Sequence, residues 1–176
     1  MNLKEIIVKD LLGDYTQMLD IILTRMESLN NEETLLCDHI CYRVETTERY
    51  SELKRELLDI SELVAEAMVS GRPISIFKLN SPIIYKNLSI ACIELPAPKS
   101  GSSYTEGWEH AEFVIKDLDA FISNNQELNF NTKAMGRSIN PELGLKINDL
   151  YQVKFHPLHI LDVIKKEEEL GITSVN

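Results

Sequence analysis

The spacing of apolar residues changes along this chain in one order, twice, and that repetition limits the folds open to it. Cys37-Asp38-His39-Ile40-Cys41-Tyr42-Arg43-Val44 alternates, with Ile40, Tyr42 and Val44 on one face of a strand and His39, Cys41 and Arg43 on the other. A helix follows, capped by Thr46 or Thr47 and running through Arg49, Tyr50, Leu53, Leu57 and Leu58. Three more strands, at 63–69, 73–79 and 88–95, are separated by Ser-Gly-Arg-Pro and Asn-Ser-Pro turn signals. After a stretch rich in Pro, Gly and Ser at 96–105, the order starts again. Residues 108–115 form a strand, and Asp117 caps a short helix through Leu118, Phe121 and Ile122. Strands at 132–137, 144–147 and 150–156 come next, then a helix over 158–170 that stops at Gly171.

Strand, helix, strand, strand, strand, repeated, is the pattern of an α+β fold made of paired βαβββ modules. The first module takes residues 35–97, a linker 98–106, and the second module with the C-terminal helix 107–172, all in one compact domain. Residues 1–31 form a helical extension ahead of them. In it Ile6, Ile7, Leu11, Leu12, Tyr15, Met18, Leu19, Ile22, Leu23 and Met26 recur at helical spacing, and Gly13 marks a break. That stripe is a packing surface; the alternative is an adaptor surface for a partner. Duplication is also visible residue by residue. Residues 38–44 align with 109–115, each opening on an acid and a histidine, with an aromatic three positions later. Residues 88–94 align with 150–156, each beginning with Leu and ending on a side chain able to bind metal.

Twenty-eight Asp and Glu against eighteen Lys and Arg give a formal charge of -10. That balance excludes a general nucleic-acid binder, which needs a basic footprint, and docking on anionic lipid. No apolar run reaches the roughly 20 residues of a membrane span. The opening Met-Asn-Leu-Lys-Glu-Ile-Ile-Val-Lys-Asp sets charges among its apolar residues, unlike a secretory signal. The expected compartment is the cytoplasm. Cys37, Cys41 and Cys92 are an odd set, and two cysteines four apart on one strand stand about 13 Å apart, too far for a disulfide. Free thiols are expected, with Cys41 and Cys92 either lining a cavity or packing inertly.

The polar faces carry the chemistry. His110 and Glu112 point away from Ala111, Phe113 and Ile115; Cys92 and Glu94 oppose Ala91, Ile93 and Leu95; Gln152, Lys154 and His156 oppose Tyr151, Val153 and Phe155. His39, Glu94, His110 and His156, including three of the four histidines, therefore sit at matched places of the two repeats. Imidazole and carboxylate together suit a divalent ion of Zn, Mn, Fe, Co or Ni. The alternative is that each is a polar residue on a half-solvated sheet face. Asp38 and Glu109 alternate to the opposite face and are not counted as ligands. His159 caps the last helix or faces solvent, and the Lys165-Lys166-Glu167-Glu168-Glu169 run is a solvated helix face. A Gly-rich phosphate loop, a Cys-x-x-Cys pair and a Gly-x-Ser-x-Gly elbow are all missing.

Four segments taken in order resemble the YecM-like bacterial family over about residues 36–160. They are residues 38–44, Ile93-Glu94-Leu95-Pro96, Gly107-Trp108-Glu109-His110-Ala111-Glu112-Phe113-Val114 and Lys154-Phe155-His156-Pro157. More broadly, paired βαβββ modules with ligands on their strands are similar to the vicinal oxygen chelate superfamily, with its glyoxalase I, extradiol dioxygenases, epimerases and fosfomycin-resistance proteins. The resemblance implies a cupped mixed sheet and a divalent metal held by His39, Glu94 and His110. Many members supply a Glu from the last strand, where this chain has His156. Around such a site Arg43, Gln152 and Lys154 are the expected substrate contacts and Glu112 the expected base; the alternative for each is a surface charge or an ion pair. Residues 104–107 are expected to loop over the mouth. The function implied is a metal-dependent enzyme of isomerase, lyase or dioxygenase type acting on a small oxygen-rich molecule. The alternative is a non-catalytic module binding a small molecule or metal. A monomer or homodimer, with no nucleic-acid or membrane partner, fits both.

Overall fold

A computed structural model describes residues 3–31, 33–103 and 105–172. Two helices, α1 (Leu3–Leu12) and α2 (Thr16–Met26), precede the first repeat: β1 (Leu36–Arg43), α3 (Thr47–Leu57), β2 (Ser61–Val69), β3 (Arg72–Tyr85) and β4 (Leu88–Pro96). The second repeat is β5 (Gly107–Val114), α4 (Leu118–Asn124), β6 (Asn131–Ala134), β7 (Glu142–Lys146) and β8 (Gln152–His156), followed by α5 (Ile160–Glu169). All eight strands join one mixed sheet in the order β2-β3-β4-β1-β5-β8-β7-β6. β1 pairs with β5 antiparallel at the centre, and each runs parallel to the last strand of its own repeat. Read outward from that central pair, the two halves have the same strand order, so the paired βαβββ architecture is borne out.

Register corrects one alignment. Cys41 lies opposite Glu94 and Glu112 lies opposite Lys154, so the counterpart of Glu94 is Lys154 and not His156. Leu88 opens β4, whereas Leu150 precedes β8 in a turn where its N–H donates to Asn148 Oδ1 at 2.9 Å. Matching the two leucines therefore slips the strands by two residues, which preserves the face and hides the error.

Helices α1 to α4 supply the residues that pack on one face of the sheet. Thr46 Oγ1 accepts from Arg49 N at 3.0 Å and Asp117 Oδ1 from Ala120 N at 2.9 Å, so both caps fall where the sequence puts them. Gly13, at φ 77°, ends α1 in the left-handed region that an L side chain avoids. The break turns the stripe: Val8 is buried while Ile7 is 40% exposed, and Leu12, Tyr15, Met18, Leu19 and Ile22 are fully packed. Tyr15 meets Tyr85 and Trp108 edge-on, each at 6.1 Å, and Trp108 Nε1 donates to Gly13 O at 3.2 Å. The extension is thus part of the core, each such side chain contributing about 1.5–3 kcal/mol by burial.

The opposite face is the cup, where α5 packs. Ile160 and Ile164 sit against Ile74, Ile76, Ala65 and Cys92, so the helix that ends the second repeat roofs part of the first. Its Lys165, Lys166, Glu168 and Glu169 are exposed, and Glu167 is half-buried. The three cysteines are free and buried. Burial pushes the Cys37 and Cys41 thiols far up and that of Cys92 to about 12, which keeps them protonated and unreactive. Among the described residues, no helix is long and apolar enough to cross a membrane.

Candidate metal centre

Two irregularities in the central strand pair set the geometry. Cys37 faces Phe113 and His39 faces Glu112, which leaves Asp38 as an extra residue on β1. Cys41 faces His110 and Tyr42 faces Trp108, which leaves Glu109 as an extra residue on β5. Each bulge falls on the acid that precedes a histidine, and a bulge interrupts alternation. Strict alternation puts Asp38 and Glu109 on the far face; the bulges bring both to the histidine face, which corrects that expectation. Asp38 Oδ2 lies 3.1 Å from His39 Nδ1, and Glu109 Oε2 lies 3.0 Å from His110 Nδ1. A carboxylate at Nδ1 makes that nitrogen the donor and turns Nε2 inward, the arrangement that fixes a ligating imidazole.

Both Nε2 atoms face the same two carboxylates. His39 Nε2 is 3.8 Å from Glu94 Oε2 and 3.5 Å from Glu112 Oε1. His110 Nε2 is 3.9 Å from Glu94 Oε1 and 3.0 Å from Glu112 Oε1. These four residues can offer one ligand atom each within 4.8 Å of one another. His39, His110 and Glu112 are buried and Glu94 is half-buried, open to the cleft. His39 Nε2 is buried without a hydrogen-bond partner. Donors bound at about 2.0–2.2 Å to one ion stand roughly 3.0–3.5 Å apart, and the separations here bracket that spacing. The two nitrogens, one of them buried without a hydrogen-bond partner, and the two carboxylates fit a divalent cation.

His156 belongs to a neighbouring group with Asp38 and His39 and does not join Glu94 and His110. Its Nε2 is 3.2 Å from Asp38 Oδ2 and 3.1 Å from Glu112 Oε2, and its ring stacks on His39 at 6.3 Å. His159 caps α5, as expected, with Nδ1 accepting from Leu161 N at 3.2 Å; its Nε2 also lies 3.1 Å from Asp38 Oδ1. Both oxygens of Asp38 accept from Ile160 N at 3.0 Å.

The three expected substrate contacts are tied to acids of the site, the half-buried Glu109 and the buried Glu112. Arg43 Nη2 is 2.6 Å from Glu109 Oε1, and Gln152 Nε2 donates to the same oxygen at 2.9 Å. Lys154 Nζ is 2.8 Å from Glu112 Oε1 and 3.7 Å from Glu142 Oε1. Burial alone would raise the acid pKa values, but the cations outweigh it. Lys154 and His39 hold Glu112 well below its usual range, His110 and Arg43 bring Glu109 to about 2, and His156 and His39 hold Asp38 far down. The same pairings overcome burial in the opposite sense for His39, which Glu112 and Asp38 push well up, and for His156, raised to about 9. A cleft of about 460 Å³ opens above this floor. Thr105, Glu106 and Gly107 line a different depression, with Tyr42 and Trp108, and Tyr104 lies outside the described residues. Sequence reasoning missed the roles of Asp38 and Glu109. The acid-histidine pair recurring at the start of each repeat was their only signal.

A family model described as YecM protein matches residues 7–167. Protein YecM of Escherichia coli is 38% identical over 88 residues, which cover 48% of this chain and 45% of that protein. The match spans about half the length of the curated relatives. The solved structure of Protein EC4020, from structural genomics, superposes with a TM-score of 0.72 at 26% identity, covering 95% of this chain and 97% of that one. Methylmalonyl-CoA epimerase of Streptomyces coelicolor, a variant in complex with 2-nitronate-propionyl-CoA, superposes with a TM-score of 0.52 at 16% identity, covering 70% of this chain and 98% of that one. That likeness is one of fold.

Proposed function

We propose, from the premise that this chain belongs to the YecM family, that it is a divalent-metal-dependent enzyme acting on a small oxygen-rich molecule. The observation that carries this reading is the group of His39, Glu94, His110 and Glu112, with the buried His39 Nε2 left unpartnered on the floor of a cleft within a vicinal oxygen chelate fold. Two imidazoles with two carboxylates suit Zn, Mn, Fe, Co or Ni. Such an ion acts as a Lewis acid on the oxygens of a bound molecule.

The chain's own residues divide the remaining work. His39 and His110 present Nε2, each fixed by the acid behind it. Glu94, the least buried donor, borders the space a ligand enters. Glu112 is steadied by Lys154 and His156, and a carboxylate held so far below its usual range serves as a ligand in preference to a base. Lys154 and Arg43 line the cleft, where their positive charge favours negative charge developing on a substrate. Isomerase, lyase and oxygenase chemistry share that demand. The same reading puts the chain in a reducing cytoplasm, in keeping with three buried unpaired thiols.

A second reading, ligand binding without turnover, is favoured by one observation: each of Asp38, Glu94, Glu109 and Glu112 at the site already has a cationic partner or a histidine.

Elemental analysis of untagged protein tests the metal directly. One ion per chain is expected, lost in both His39→Ala and His110→Ala. Protein unable to take up any of Zn, Mn, Fe, Co or Ni overturns the metal reading. Bound metal with no turnover of any oxygen-rich substrate supports the second reading.

A further inference from the structure

Five Lys and Arg side chains line the cleft, and they fall into two classes. Arg43 pairs with Glu109, Lys154 with Glu112, and Arg137 with Glu142 at 3.1 Å. Arg72 and Lys99 form no salt bridge among the described residues. Arg72 belongs to the first repeat and Lys99 to the linker just after it, and together they mark one rim of the cleft. Arg72 opens β3 just after the tight turn at Ser70 and Gly71, which both have positive φ, and Lys99 follows β4. Arg72 Nη1 donates to Ala97 O at 3.0 Å, which holds the guanidinium at the end of β4, while its Nε is buried with no partner. Leaving a buried guanidinium nitrogen unsatisfied is costly, and an arginine so placed is suited to a planar, bidentate anion.

The wall between this rim and the metal-binding group is apolar. Ile76 lies opposite Glu94 and Ile74 opposite Pro96, while Ala65 and Ala67, paired with those isoleucines, leave room with their short side chains. Val163 and Ile164 of α5 close over it. From Glu94 to Ala97 is three strand residues, or about 10 Å. Glu167, the acid on that wall, forms no ion pair with either cation.

We infer that Arg72 and Lys99 form an anion subsite that takes the far carboxylate or phosphate of an elongated ligand. The ligand's oxygen-bearing end lies at His39, Glu94 and His110, and its hydrocarbon middle lies along Ile74 and Ile76. The inference rests on the metal-centre reading for the near end and on Arg72 and Lys99 for the far end. It makes the substrate an organic acid roughly 8–10 Å long, with an apolar middle. In a chain of formal charge -10, two cations at one rim without an acidic partner among the described residues also favour entry of the anionic group.

Calorimetric titration of zinc-loaded, full-length protein tests this with three probes: 2-oxoheptanedioate, its ω-phosphonate analogue, and 2-oxoheptanoate, which lacks the far anion. At least tenfold tighter binding is expected for the first two than for the third, and the order of the first two tells carboxylate from phosphate. Arg72→Gln and Lys99→Gln should each erode that advantage with zinc content unchanged, and Arg72→Lys should keep most of it. Equal affinity for all three probes, no saturable binding of the two dianions, or an advantage that survives in the double Gln variant overturns the subsite. Zinc content of the same samples separates the two readings. Protein that takes no zinc yet prefers dianions counts against the metal alone, and zinc-loaded protein without the preference counts against the subsite alone.

Discussion

Glu94 and Lys154 occupy equivalent positions in the two repeats, one opposite Cys41 on β1 and the other opposite Glu112 on β5, and they carry opposite charge. A symmetric pair of modules would aim two like side chains at the centre. Here one half supplies a carboxylate, and the other supplies an ammonium 2.8 Å from Glu112 Oε1. The carboxylate on the last strand of the first repeat thus has a fixed cation as its counterpart on the last strand of the second.

That cation opposes a metal and supports the metal-free protein, so its removal should have two effects of opposite sign. Lys154→Met is expected to strengthen zinc binding about tenfold by removing a like charge beside the ligands, roughly 1.4 kcal/mol. The same change should destabilise the metal-free protein by about 3 kcal/mol, because the buried Glu112 loses its partner. Competition with a chromophoric chelator and urea unfolding in EDTA measure the two. Weaker zinc binding in the variant would mean that Lys154 helps to hold the ion.

Asp38 and Glu109 should act through their histidines. Asp38→Ala and Glu109→Ala are each expected to lower metal affinity 10–100-fold, the usual cost of removing the carboxylate behind a ligating imidazole. Asp38→Asn and Glu109→Gln, which keep an acceptor for Nδ1–H, should recover part of it. The visible spectrum of the cobalt-loaded protein reports whether the ligand set is preserved in each. Unchanged affinity in both alanine variants would reduce the acids to packing residues.

Metal should reverse the sign of the pH dependence of stability. In the metal-free protein His156 titrates near 9 against about 6.5 when unfolded, and His39 and His110 are raised as well. Groups raised in the folded state stabilise it fully below the unfolded value, and that contribution fades as pH climbs through the folded one. For His156 it amounts to about 3 kcal/mol. The depressed acids Asp38, Glu109 and Glu112 act oppositely, and their contribution is lost only as pH falls below about 4. Metal-free Tm is therefore expected to peak near pH 5–6.5 and decline toward pH 9. The extra stability given by zinc should grow over that range, since the ion needs neutral imidazole. Melting curves from pH 4 to 9.5, with zinc or with EDTA, check both slopes. A metal-free Tm that rises from pH 6.5 to 9 would contradict the buried pairings.

Much of this architecture was legible in the sequence because alternation and helical spacing are set by burial, and burial is local to each element. His39, Cys41 and Arg43 parted from Ile40, Tyr42 and Val44 as alternation requires. The bulges at Asp38 and Glu109 were not legible. An extra residue in a strand changes no side-chain type and shows itself only against the partner strand. His156 could not be told from Lys154 as the match for Glu94, because a slip of two leaves every face unchanged. For Arg43 and Lys154 the sequence left substrate contact and ion pair both open, because their partners, Glu109 and Glu112, lie on another strand. Arg72 and Lys99 were hidden for the same reason: having no acidic partner among the described residues is a property of the folded chain alone.

The bond from Ile160 N to Asp38 joins residues 122 positions apart. On a ribosome adding roughly 5–20 residues per second, the strand bearing Asp38 and His39 waits about 6–24 s for the helix that completes its surroundings. Until then its buried acid and imidazole have neither His156 nor the α5 N-terminus beside them. The centre is therefore among the last parts of the chain to be finished, and a nascent chain cannot hold it in final form before its C-terminal helix has emerged.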